Sequence, residues 1–162
     1  MTAALATHCD PPSTLALRDF HAENLIWRPD REGTDRIGLL DFQDAVIAPR
    51  GYDLISLLRD VRRHVDPTLA KQMIGHFAKG VGTTPETLSP ALATLAVQRN
   101  LRILGVFARL ALRDGKHRYV QMIPHLWNML TEDLRHPALA DLRRVVQSTL
   151  PPPEHSAIKD LL

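Results

Sequence analysis

The sequence predicts an α+β fold, mainly helical, in which a helical bundle backs a small β element that carries polar loops. Three observations predict it. Residues 15 to 45 hold short apolar runs broken by Asp, Gly and Pro, the pattern of short strands joined by turns. From Pro49 onward apolar residues recur at helical spacing, as in Leu54, Leu57, Leu58 and Val61. The length of 162 residues suits one domain, able to bury roughly 70% of the surface its unfolded chain exposes.

In order along the chain, residues 1 to 14 read as the end of a helix followed by a Pro11-Pro12 loop. Leu15-Ala16-Leu17 and Leu25-Ile26-Trp27 read as strands on either side of the polar loop RDFHAEN. The stretch RPDREGTDR, 28 to 36, is a turn, and the strand after it, 37 to 40, runs into Asp41. Helices are expected over LISLLRDVRRHV, from Pro67 to about Lys79, over 90 to 113, near 117 to 134 with Pro124 kinking or dividing it, and over 137 to 149. Residues 1 to 150 form the domain, and 151 to 162, opening with three prolines, form a polar tail. Trp27, Phe107 and Trp127 are assigned to the core.

Composition narrows the function classes. Hydrophobic residues at 44% and charged residues at 23% are those of a globular protein, and no apolar run approaches the roughly 20 residues needed to cross a bilayer. A formal charge of +2 is compatible with a phosphate-bearing ligand and too small to argue for nucleic acid. The basic residues Arg59, Arg62, Arg63 and His64 fall on a predicted helix and read as a solvated face; the other reading makes them a nucleic-acid surface. Cys9 is the only cysteine, which fits a reducing, cytoplasmic location, and the N-terminus makes a poor secretory signal. No membrane partner and no nucleic-acid partner are expected.

The chemistry concentrates on Asp19, Asn24 and Asp41. Two carboxylates and a carboxamide oxygen are hard ligands suited to Mg²⁺, which binds through few protein groups plus substrate phosphates. Mg²⁺ on ATP phosphates beside an aspartate that orients a hydroxyl is the equipment of phosphoryl transfer. Taken singly, Asp19 or Asp41 reads as a capping or surface acid. His21 either touches a phosphate or the substrate, or hydrogen-bonds within its own loop and fixes Asp19. Gly75 to Gly80 matches the start of a phosphate-binding loop, then departs from it at Val81-Gly82, and is rejected.

Leu17-Arg18-Asp19-Phe20-His21-Ala22-Glu23-Asn24 resembles the kinase catalytic loop H-R-D-L-x-x-x-N, and Asp41-Phe42-Gln43 resembles D-F-G. Over about residues 10 to 150 the chain is similar to the C-terminal lobe of the aminoglycoside phosphotransferase family, relatives of the protein kinases. Within that family LRDFHAENLIW, GLLDFQDAVIAPRGYDLISLL and RNLRILGVFARL most resemble bacterial anomeric N-acetylmuramate/N-acetylglucosamine kinases of peptidoglycan recycling. The resemblance implies a protein-kinase-like C-terminal lobe whose β element carries the catalytic loops. It implies ATP and Mg²⁺ as cofactors and an amino sugar, or an aminoglycoside-like molecule, as the substrate. Asp19 would be the catalytic base and Asn24 and Asp41 the metal ligands. Arg18, His21 and Asp53 would support the site, Asp53 by anchoring the catalytic loop from the following helix. Asp53 read by itself is an N-terminal helix acid. Arg99 and Asn100 would reach the sugar's hydroxyls or acidic group, or form an exposed helix pair.

Two departures carry expectations. Gln43 stands where the motif has Gly, which implies less conformational switching of that loop. Only 18 residues precede Asp19 and no G-x-G-x-x-G occurs, so an N-terminal nucleotide-clamping lobe is expected to be absent and the isolated chain to turn over weakly or not at all. The alternative function is a truncated, non-catalytic binding or interaction module that keeps the fold.

Overall fold

The computed structural model describes residues 1–153, and the expected tail lies mostly outside them. Helix α1, Thr2–His8, leads into strand β1, Thr14–Ala16. A short 3-10 turn at Ala22–Asn24 precedes β2, Leu25–Trp27, and another at Gly33–Arg36 precedes β3, Ile37–Leu39; β4 is Val46–Ala48. Five helices follow: α2, Tyr52–Leu58; α3, Pro67–Gly80; α4, Pro85–Leu112; α5, Ile123–Asp133; α6, Ala140–Thr149. The chain is therefore mainly helical with small antiparallel β pairs.

The strands pair as two ladders. β2 and β3 form a hairpin in which Leu25 faces Leu39 and Trp27 faces Ile37. β1 pairs with β4, Thr14 opposite Ala48 and Ala16 opposite Val46, so the two strands that flank the polar loop belong to different ladders. The apolar run at 46 to 48, unassigned in the sequence reading, supplies the missing partner.

Helix α4 holds the helical part together, because its apolar residues enter all three core clusters. Leu88, Leu92 and Ala96 pack with Ile55 of α2 and Ala78 of α3. Phe107 and Ala111 pack with Val61, Val120, Ile123, Leu126 and Met129. Val97 packs with Leu130, Leu134, Leu139 and Val146. Such residues each contribute roughly 1.5–3 kcal/mol by leaving water. Caps set the starts of α3 and α4: Asp66 accepts from the amides of Thr68 and Leu69 ahead of Pro67, and Thr84 accepts from Thr87 ahead of Pro85.

Two expectations change and two hold. The helix after Gly51 ends at Leu58, so Arg59, Arg62, Arg63 and His64 lie beyond it and present no helical basic face. The Asp60 carboxylate accepts the Arg62 amide, a local bond that competes with continuing the helix. Trp27 is 60% exposed rather than core, with the Arg36 guanidinium 5.5 Å over its ring. The 117 to 134 segment is divided one residue before Pro124, a 3-10 turn to Met122 giving way to α5. Gly75 to Gly80 lies within α3, not in a loop after a strand.

Candidate active site

The polar loop leaves β1 through a sharp bend. Arg18 has φ 71°, and the Asp19 amide donates to the Leu17 carbonyl at 2.8 Å, which closes a γ-turn of the rare positive-φ kind. A non-glycine residue held there costs on the order of 1–3 kcal/mol and persists only where its surroundings impose it. Those surroundings are α2. The Asp53 carboxylate accepts from the Leu17 amide at 2.7 Å and the Arg18 amide at 3.1 Å, while Ser56 donates to the Arg18 carbonyl at 3.4 Å. Ser56 is fully buried and in turn accepts from Arg99 Nε at 3.1 Å.

Within the loop, Asn24 Nδ2 donates to the Asp19 carbonyl at 2.8 Å and lies 3.4 Å from His21 Nε2. With the amide nitrogen so engaged, Asn24 Oδ1 is left to accept from, or ligate, something else. His21 Nε2 then accepts, so its ring proton sits on Nδ1, which is buried and without a partner among the described residues.

The second segment meets the first through the β2–β3 hairpin. One step beyond the Leu25–Leu39 pair, the Leu40 amide donates to the Asn24 carbonyl at 2.9 Å, so Asp41 follows the residue bonded to Asn24. Asp41 has φ 57°, a left-handed turn at the strand end, and its carboxylate is exposed and accepts from the Gln43 side-chain amide. The donor set present is hard oxygen: the free Asn24 Oδ1 and the Asp41 carboxylate. That chemistry fits Mg²⁺ shared with phosphate oxygens and waters. No group of three or more His, Cys, Asp or Glu that could hold a metal occurs among the described residues, so phosphate oxygens would have to complete any such site.

Asp19 is part-exposed and faces α4, where Arg102 Nη2 lies 3.5 Å from its Oδ1. Arg62 approaches the same loop, 3.4 Å from Glu23 and 3.4 Å from Asp60. The two α4 residues singled out from sequence are placed otherwise. Arg99 and Asn100 are buried, not an exposed pair. Arg99 bonds Ser56 and the Arg59 carbonyl, and burial lowers its pKa against the opposing pull of Asp60. Asn100 donates to Asp133 at 2.9 Å. Both are internal because α2 and α5 pack against that stretch of α4.

Sequence reasoning missed Arg102, although it stands one helical turn after Arg99. It also missed the Arg59–Asp133 pair at 2.7 Å, for which no local pattern exists. A cavity of about 770 Å³ lies among α2, α3, α4 and α5 and is lined by Arg59, Asp60, Ile74, Leu92, His125 and Asp133. None of Asp19, Asn24 and Asp41 lines it. The candidate site is instead an open one beside the β element.

The model of the phosphotransferase enzyme family, APH, matches residues 1–91. The chain is similar to an N-acetylmuramate/N-acetylglucosamine kinase of Caulobacter vibrioides, 45% identical over 130 residues, covering 78% of this chain and 35% of that one. Kinases of the same name from Pseudomonas putida and Neisseria meningitidis are 32% and 36% identical, covering 83% and 74% of this chain and 41% and 36% of theirs. The chain thus spans about two fifths or less of the length of these relatives. The span matched by the family model takes in the strained loop at Asp19, the strand end at Asp41 and helix α2, whose Asp53 grips that loop, and the chain belongs to the phosphotransferase enzyme family.

Proposed function

We propose that the chain is the catalytic and acceptor-binding lobe of an ATP-dependent, Mg²⁺-requiring phosphotransferase acting on a hydroxyl of an amino sugar. N-acetylmuramate and N-acetylglucosamine are the acceptors, by analogy with the relatives' names. One observation carries the reading: the bond network from Asp53 through Arg18 to Asp19 and Asn24 holds the loop rigidly beside Asp41. Asp19 accepts the proton of the acceptor hydroxyl, from a backbone that Asn24 fixes at the Asp19 carbonyl. Asn24 Oδ1 and the Asp41 carboxylate hold the metal. The metal supplies neutralisation of phosphate charge, and positioning does the rest.

An exposed apolar surface supports the reading that a second body covers the nucleotide. Leu15 and Ile47, opposite one another in the β1–β4 ladder, are 64% and 59% exposed, and Phe42, next to Asp41, is 60% exposed. A patch this apolar beside the site is a surface for packing. By itself the chain should therefore turn over weakly or not at all.

The test joins this chain to the portion of the Caulobacter vibrioides relative that it does not match. Formation of sugar phosphate from Mg-ATP is expected in the joined protein, and loss of turnover by orders of magnitude in its Asp19→Asn variant. Asp41→Ala should instead weaken Mg-ATP binding. A joined protein that binds Mg-ATP yet phosphorylates neither sugar overturns the reading, and so does full turnover by Asp19→Asn.

A further inference from the structure

We infer that Arg102 is the residue that recognises a carboxylate on the acceptor, and so sets a preference for the acid-bearing sugar over the neutral one. The inference rests on the proposed function, because it takes Asp19 as the group facing the acceptor hydroxyl. N-acetylmuramate differs from N-acetylglucosamine by a lactic acid ether, so one carboxylate is the chemical difference between the two. A site that takes both needs a cation close enough to meet that carboxylate and free enough to do without it.

Arg102 has those properties. Its contact with Asp19 Oδ1, at 3.5 Å, is loose beside the 2.7–2.9 Å of a well-formed charge-assisted bond. It is the one hydrogen bond the guanidinium makes among the described residues, so most of its donor fork is open. The side chain is 28% exposed and that of Asp19 39%, which puts both at the mouth of the site. A bidentate carboxylate fits such a fork in geometry and in charge.

Its placement separates acceptor from phosphate. Arg102 reaches Asp19 from α4, on the helical side, whereas Asp41 comes from the end of β3. The phosphates belong with Asp41 and Asn24, so a cation arriving from α4 meets the acceptor instead. Of the neighbouring cations, Arg62 lies 3.4 Å from both Glu23 and Asp60, and Arg99 is buried on Ser56 and the Arg59 carbonyl.

The experiment is titration of the chain with each sugar, without nucleotide, followed by NMR, for the wild type and for Arg102→Gln, Arg102→Lys and Arg62→Gln. Folding of each variant is checked by its thermal midpoint. The wild type should bind N-acetylmuramate about tenfold more tightly than N-acetylglucosamine, the scale of one hydrogen bond to a charged group. Arg102→Gln should bring the two affinities together by weakening N-acetylmuramate alone. Arg102→Lys should keep part of the preference, and Arg62→Gln should keep it. A separate titration with Mg-ATP should be unchanged in Arg102→Gln. Equal binding of both sugars by the wild type, equal loss of both in Arg102→Gln, or weakened Mg-ATP with the sugar preference intact overturns the inference and leaves the proposed function standing. Binding of neither sugar by the wild type overturns both.

Discussion

The Asp53 carboxylate and the Arg18 amide meet at 3.1 Å across 35 residues of chain, and that bond holds a residue at φ 71°. The first turn of α2 thus does for the loop what a glycine does elsewhere: it makes a left-handed backbone tolerable by gripping it. Asp53→Ala removes an acceptor for two amides and releases the γ-turn. We predict a loss of about 3–6 kcal/mol in urea unfolding, the scale of two hydrogen bonds to a charged group. Asp53→Asn, which keeps one acceptor oxygen, should cost about half as much. Equal stability of Asp53→Ala and the wild type would mean that the turn is held from within the loop.

Gly51 starts α2 and is constrained twice. Its φ is 88°, and a Cβ there would lie 2.6 Å from Leu92 Cδ2, a side chain 4% exposed in the α2–α3–α4 cluster. Gly51→Ala should cost roughly 2–4 kcal/mol, from left-handed backbone and overpacking together. The same change made on a Leu92→Ala background should cost clearly less, since only the backbone penalty remains. Additive effects in the double variant would place the cost in φ alone.

The apolar face of the β1–β4 ladder should be energetically silent in this chain. Leu15→Thr and Ile47→Thr keep strand preference and remove apolar surface that is 64% and 59% exposed. Each should shift stability by no more than about 0.5 kcal/mol. Ile55→Ala, in the core at 5% exposure, should cost about 2–5 kcal/mol. A large loss from Ile47→Thr would show that the face is already covered, by a second copy or by the chain's own tail.

These contrasts explain what could be read in the sequence. The loop from Arg18 to Asn24 was visible because polar residues interrupt two apolar runs, and the helices from Pro67 to Thr149 because caps, prolines and periodicity coincide. Strand pairing was not visible, since Val46-Ile47-Ala48 is too short a run to separate from a loop. Nor was the end of α2: Leu54, Leu57, Leu58 and Val61 keep helical spacing while the Asp60 side chain takes the Arg62 amide and ends the helix first. Periodicity also places Arg99 and Asn100 on a helix without saying that other helices will bury them. For the candidate site, residue types and spacing pointed to Asp19, Asn24 and Asp41. Arg102 was illegible because its meaning lies in a contact across 83 residues.

The last prediction concerns the internal acid that Asn100 and Arg59 share. Burial pushes the Asp133 carboxyl up to about 6 from an ordinary 3.8, against the pull of the Arg59 guanidinium 2.7 Å away. An acid whose folded pKa lies above its unfolded one keeps its proton longer in the folded state. Its contribution to stability is therefore present below pH about 4 and is lost as pH rises through 6. Asp133→Asn keeps the shape and removes the titration, so the difference between the two proteins isolates this group. Measured by urea unfolding at successive pH values, the wild type should lose roughly 1–3 kcal/mol relative to Asp133→Asn between pH 4 and 6.5, and nothing further above that. The opposite slope, the wild type gaining on the variant as pH rises, would mean that the ion pair with Arg59 outweighs the cost of burying the charge. Asn100 would then hold an ionised carboxylate, and the helical core would be tied to α2 by charge and not merely by shape.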